Sequence, residues 1–430
     1  MEYIPRFILP WQSENWESVQ DVLNNTTVNN EDDIDIIIFK IYDEHNAKLG
    51  SILKKIFDCP NPVISREKFF NVIFPYIKRN ILDMEKKFKN TYIDLLLSQN
   101  TQFICIPRTE VLGLISGAFL SIYDSYNYTM CESEYVFGKF SFEYLYKNEL
   151  IEPIKCLLHY FDVCYSRELK GRIDGNILIH RVSMNRIPKW KDLDVKFCRV
   201  FASNMGTIDE ALTNEFVNFS DTIIGSEDFG NYDTFRQSFD MIIGRPETLI
   251  ARLICCKMES NEAISVIGSE KFSIFENGKM IDTYQDTTDK INGTIISRII
   301  FLDSSKNIEQ QYTVNFSRDL NKAFSGFYTD SQAITSPIAT GLWGNEFEGI
   351  DQEIKALQQI LAAAFAHREL LYFVNGDRQL ADKINNFSDF LILNNKTIKE
   401  VLIAYEALKK ENKTNLSSWR NVLSRLKEKI

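Results

Sequence analysis

Apolar residues recur at helical spacing through the first hundred positions, and further along they gather into short blocks that suit strands. The stretch "SREKFFNVIFPYIKRNILDMEKKFKNTYIDLLL" predicts helix, with Ser65 as its N-cap and Pro75 as a break or kink. The acidic run "NNEDDID" (29–35) is expected as a loop. Helical patterns follow over 109–123 and 149–164. Beyond residue 175, β-rich runs at 176–182, 195–202, 215–219, 263–267, 295–302, 337–342 and 370–374 are separated by helical ones. The helical ones include 246–258, 318–327 and 351–368. In the last, Asp351 is placed to cap the helix, and Ile354, Leu357, Leu361, Ala364 and Phe365 fall on one apolar face. The tail from Asn395 predicts two more helices with a solvated, lysine-rich surface. Such alternation predicts an α/β fold, a sheet covered by helices on both faces. The expected organisation is a helical accessory region over 1–106, an α/β domain over 107–400 and a helical tail over 401–430.

Composition narrows the class. The 430 residues are 44% hydrophobic and 25% charged, with a formal net charge of −10, as in an ordinary globular protein. The negative balance speaks against direct DNA or RNA binding and against anionic membranes, since both rely on broad basic surfaces. The longest apolar run, 111–123, is too short to span a bilayer. An acidic second residue and early prolines make the N-terminus unlike a secretory signal, so a cytoplasmic or nuclear location is expected. Eight cysteines without a C-x-x-C pair, and four histidines without zinc spacing, predict reduced thiols and no metal. No cofactor is expected.

Common catalytic signatures are missing: there is no G-x-S-x-G, no G-x-x-x-x-G-K-[ST] and no H-E-x-x-H. The run "TGLWGNEFEG" (340–349) joins a strand to the helix beginning near 351. A strand–loop–helix of this kind can offer backbone N–H groups to a phosphate, and equally can be a plain tight connection.

Several segments taken together resemble one family. They are "DLNKAFSGF" (319–327), "IATGLWGNEFEGID" (338–351), "KALQQILAAAFAHRELLYFVNGD" (355–377) and "FLILNNKTIKEV" (390–401), with "TIDEALTNEFVNFSDTIIG", "PETLIARLI" and "IGSEKFS" upstream in order. This set resembles the poly(ADP-ribose) glycohydrolases over roughly residues 107–400. The resemblance implies a macrodomain-like mixed sheet and hydrolysis of ribose–ribose bonds. It also implies a Gly-Gly-Gly loop followed by Gln-Glu-Glu. The second glutamate would protonate the leaving ribose oxygen and then activate water.

At those positions the sequence departs from the family. The glycine loop falls on Gly225, Ser226 and Glu227, and the triplet on Gln237, Ser238 and Phe239, so both carboxylates are absent. Gln237 and Ser238 are expected at the surface. The resemblance places further ligand positions at Ile208 and Asp209 (adenine edge), Asp221 (ribose), Gly344 and Asn345 (phosphate loop). A family tyrosine falls on Lys279 and the adenine-stacking phenylalanine on Asn375. Glu346, Phe347 and Glu348 stand where small residues and an aromatic are implied, while Trp343 is kept. Glu227, Asp228, Asp233 and Asp240 are the carboxylates near the lost site in sequence. The sequence therefore predicts a catalytically inactive glycohydrolase-like scaffold with protein partners, in a larger assembly, and weak binding of ADP-ribose or its polymer. An active enzyme with a rearranged site and a non-cleaving ADP-ribose binder are the alternatives.

Overall fold

A computed structural model describes residues 5–42, 48–123, 135–226, 236–276, 278–283, 290–291, 294–305, 314–329, 336–410 and 419–427. Its centre is an eight-stranded sheet. In chain order the strands are β1 (Gln102–Pro107), β2 (Asn176–Ser183), β3 (Val200–Ser203) and β4 (Glu215–Ser220). They continue with β5 (Glu262–Ile267), β6 (Arg298–Asp303), β7 (Ile338–Gly341) and β8 (Leu370–Phe373). In space the order is β1-β2-β5-β6-β4-β7-β8-β3. From β6 to β3 all neighbours are parallel, while β1, β2 and β5 pair antiparallel. The sheet is thus mixed.

Side chains alternate across the pleat into two cores. Ile299 and Phe301 of β6 face one, and Ile300 and Leu302 face the other. The first core takes the N-terminal helices, α1 (Arg108–Phe119), α2 (Ile151–Glu168) and α3 (Arg236–Ile243). The second takes α4 (Val314–Phe327), α5 (Gln352–Phe365), α6 (Arg378–Leu393) and α7 (Ile398–Lys410). The inner strands β4, β5, β6 and β7 are buried almost throughout, as their continuous apolar runs imply, whereas the edge strand β1 buries only Ile106.

Most predicted elements appear within a few residues of their expected ends, and the departures have local causes. Residues 29–35 are not a loop: a helix starts at Glu31 and runs to Tyr42. The Asn30 side chain accepts from the N–H groups of Asp32 and Asp33, and the carboxylates sit in the first turn, where the helix dipole favours them. Before Pro75 the helix widens into a π-turn over Phe69–Ile73, the form taken by the expected kink. The 246–258 helix is shorter than expected, a 3₁₀ turn (Pro246–Leu249) followed by Ile250–Ile254. The run 195–202 forms strand only from Val200.

The helix predicted from 351 is α5, and Asp351 caps it by accepting from the N–H groups of Glu353 and Ile354 at 2.9 and 3.2 Å. It is buried nearly all round instead of on one face. Two of its buried glutamines donate into the core. Gln358 donates to the Phe316 carbonyl at 3.0 Å, and Gln359 donates to the Gly341 carbonyl at 3.1 Å. Leu361 is fully buried in the second core. Leu361→Ala is expected to lower stability by ~2–5 kcal/mol, read as a drop in the urea midpoint, because the emptied volume cannot refill.

Candidate functional site

Parallel strands end in loops at a common edge, the usual place for a ligand in an open α/β sheet. The residues singled out from sequence converge there. Asp221, Gly225 and Ser226 follow β4; Trp343, Gly344 and Asn345 follow β7; Asn375 follows β8; Ile208 and Asp209 follow β3. Lys279 is exposed at the start of a hairpin strand (Lys279–Thr283). Glu227, Asp228 and Asp233 lie outside the described residues, as does the Gln237 side chain.

The turn after β4 keeps the backbone of a glycine loop without its composition. Gly225 and Ser226 both adopt left-handed conformations, φ 72° and 62°, and the Ser226 N–H donates to the Ile223 carbonyl at 2.8 Å. For serine that conformation costs about 1–2 kcal/mol, so surrounding contacts must hold it. Arg252 supplies them. Its guanidinium donates to the carbonyls of Ile224, at 2.8 Å, and Ser226, and to the Lys139 carbonyl at 2.6 Å. The sequence carries a trace of this role, a lone arginine in the apolar run "TLIARLI". The Asp221 carboxylate accepts from the N–H of Thr222 at 2.7 Å.

Helix α3 brings in Ser238 and Phe239, the two positions to which the sequence resemblance assigns glutamates. Ser238 is buried, contrary to the surface placement expected from sequence. Its hydroxyl hydrogen-bonds the Asn218 side-chain oxygen, and its carbonyl accepts from the Asn218 amide at 2.9 Å. This double link staples α3 to β4. Phe239 is 2% exposed and belongs to the first core. The neighbouring Asp240 is also buried, and its carboxylate accepts from the Gly278 N–H at 3.2 Å. Position 239 is therefore filled by packing, in a place where an ionised carboxylate would be heavily penalised.

The loop after β7 is built around Trp343, which is 0% exposed and stacks on Phe219 with ring centroids 6.3 Å apart. On its other partner side, the Lys355 ammonium lies 4.6 Å from the indole centroid. Lys355 also donates to the Ser304 hydroxyl at 2.9 Å and pairs with Asp319 at 2.5 Å. Burial draws its pKa down, with Asp319 opposing. Asp303, beside it, is pushed up by burial but held below the usual carboxylate range by Lys322 and Arg318. Gly344 has φ 75°, and a Cβ there would lie 2.4 Å from the Ser304 hydroxyl oxygen. Glycine is required at this point for packing alone. Asn345 and Glu348 are exposed, and Glu346 and Phe347 are half-buried. The first N–H groups of α5 are taken by Asp351, so the helix start is already capped.

After β8, Asn375 is exposed with φ 45°, and Gly376 has φ 92°. Asparagine is among the residues that tolerate this region best. After β3, Ile208 is buried at the foot of Gly341, and Asp209 pairs with both Arg245 and Lys271. Sequence reasoning missed this pair of cations; nothing in the spacing of 209, 245 and 271 announces it. Among the described residues, no cluster of histidine, cysteine or carboxylate side chains is arranged to hold a metal, and no helix is long and apolar enough to cross a membrane.

This architecture matches what comparison with known proteins finds. Residues 187–382 match the model of the poly(ADP-ribose) glycohydrolase macro domain fold, and residues 64–181 match that family's helical domain. The chain is similar to a probable poly(ADP-ribose) glycohydrolase 2 of Arabidopsis thaliana, 23% identical with 83% of each chain covered. It is also similar to poly(ADP-ribose) glycohydrolase 1 of Caenorhabditis elegans, 27% identical over 55% of this chain and 33% of the relative. Poly(ADP-ribose) glycohydrolase 1 of Arabidopsis thaliana is 22% identical over 62% of this chain and 52% of the relative. Both halves of the fold and the relatives agree, and the chain belongs to the poly(ADP-ribose) glycohydrolase family.

Proposed function

We propose that this chain is a catalytically inactive member of its family that serves as a structural or protein-interaction module. The observation that carries the reading is Phe239, 2% exposed in the core, at the position to which the sequence resemblance assigns the acid/base glutamate. Cleaving a glycosidic bond requires a carboxyl that protonates the leaving oxygen as an oxocarbenium-like centre develops. Phenylalanine holds no proton, and Ser238 beside it is engaged with Asn218.

The names of the relatives favour the other reading, an active enzyme with a rearranged site. That reading needs a substitute carboxylate free to reach the substrate. Among the described residues, Asp209 is held by two cations, Asp221 by its own turn, and Asp240 is buried against Gly278. Binding without cleavage also finds little support. Asn375 offers no ring for adenine, and Glu346 and Glu348 bring like charge to where a diphosphate would lie. Base–aromatic stacking is worth ~1–3 kcal/mol, so its loss alone weakens binding roughly ten- to a hundredfold. Titration calorimetry with ADP-ribose is expected to show no complex of micromolar affinity. A micromolar or tighter one would restore the binder reading.

A further inference from the structure

We infer that the outer edge of β1 is where a second copy of this chain docks, strand against strand, so that the two sheets continue across a two-fold axis. β1 lies at the opposite end of the sheet from β7, β8 and β3. The contact is therefore separate from the strand-end loops and holds whether or not those loops carry out catalysis.

The two edges of the sheet differ. At β3 the outward backbone is closed by α6. The Val200 N–H donates to the Ser388 hydroxyl at 3.1 Å. Asn385 accepts from the Ala202 N–H at 2.8 Å and donates to the Ala202 carbonyl at 2.9 Å. At the other edge, Gln102–Pro107 pairs with β2 on one side only. Among the described residues, no other segment hydrogen-bonds to the backbone of Phe103, Ile104, Cys105 or Ile106. An edge left in this state is a template for another strand.

Side chains on that edge decide what can lie against it. Gln102 accepts from the Leu97 N–H at 3.3 Å, and Ile104 and Ile106 meet the first core. Phe103, Cys105 and Pro107 turn the other way and are exposed, Phe103 at 70%. No charged residue occurs between Asp94 and Arg108, so the lysine that commonly guards an open edge is absent. In an antiparallel pair, opposed residues share a face. A two-fold pairing therefore sets Phe103 against an uncharged residue of the second copy, and no register of the strand opposes like charges. Over the rest of the surface, a net charge of −10 on each copy works against approach. The neutral strand is where two copies can meet. A charged partner strand would gain no ion pair here, whereas a reversed copy of the same strand meets its own chemistry. Such self-complementary contact about a two-fold axis is also the commonest form of self-association.

The test is sedimentation velocity of the full-length protein over a concentration series. A reversible monomer–dimer equilibrium is expected. Phe103→Lys changes an exposed side chain and should raise the dimer dissociation constant more than about tenfold, because each copy then brings a charge into an uncharged contact. Phe103→Leu should keep the dimer. Phe201→Lys, at a 60% exposed position on the closed β3 edge, should leave it unchanged. A short bis-maleimide should join two copies through the exposed Cys105, and Cys105→Ser should abolish that product. This second reading stands even if Phe103→Lys fails to fold. A dimer that Phe103→Lys leaves as tight as wild type, or a cross-link that survives Cys105→Ser, would overturn the inference. So would a chain that stays monomeric at every concentration, which would leave the edge to a strand of another protein. No arm uses polymer or ADP-ribose, so failure here is distinct from failure of the proposed function.

Discussion

Introducing glutamates at the two positions to which the resemblance assigns them, as Ser238→Glu and Phe239→Glu, is expected to destabilise the core without producing turnover. Removing a buried phenylalanine costs ~3–5 kcal/mol before anything replaces it. A carboxyl placed there must either remain protonated or leave the core, and either adds to the loss. Ser238→Glu removes the hydroxyl that donates to the Asn218 side-chain oxygen, and a buried acceptor left without its donor costs ~1–3 kcal/mol. Folded domains are stable by only ~5–15 kcal/mol, so the pair should sharply lower the urea midpoint or abolish soluble expression. Polymer hydrolysis should stay at background in whatever protein folds. A well-placed acid contributes ~10²–10⁴-fold only on a substrate already held, and Asn375 leaves the adenine unanchored. A double variant as stable as wild type, with robust hydrolysis, would mean that the pocket persists.

A loss of similar size is expected on the far side of the sheet, where no catalytic role is at issue. Glu215, at the start of β4, is completely buried and pairs with Arg298 at 3.0 Å and with Arg368. Arg298 also donates to the Gly326 carbonyl at 2.7 Å, tying β6 to the end of α4. Glu215→Ala leaves two buried guanidinium groups without their counter-charge, which should cost ~3–5 kcal/mol. Glu215→Gln should cost less, since it keeps the volume and part of the hydrogen bonding. The order of the two denaturation midpoints checks this. Equal, wild-type-like midpoints would show that the arginines find other partners.

Much of the fold was legible in the residue pattern because long periodic segments report burial directly. The α5 helix, its Asp351 cap and seven of the eight sheet strands follow from that rule. Strand β1 escapes it: "QFICIP" is a short apolar run, and such runs do not distinguish strand from the end of a helix. The 29–35 segment misleads for another reason. Its carboxylates look like a solvated loop, yet acidic residues are what a helix start favours once Asn30 caps it.

The site was legible only as a set of substitutions. The sequence resemblance sets Ser238 and Phe239 against carboxylates; that they are buried depends on how α3 meets β4. Likewise Asp209 stands in the sequence only as an implied adenine-edge position, and only long-range packing brings Arg245 and Lys271 onto it. Charge partners separated by tens of residues leave no periodic signal.

One measurement bears on the central claim most directly. Labelled poly(ADP-ribose) is incubated with the purified full-length protein at enzyme-scale concentration, beside an active glycohydrolase and a mock preparation. With Phe239 in the core in place of an acid, ADP-ribose release should equal that of the mock preparation throughout. Steady release that scales with the amount of this protein, and is absent from the mock, would contradict the account.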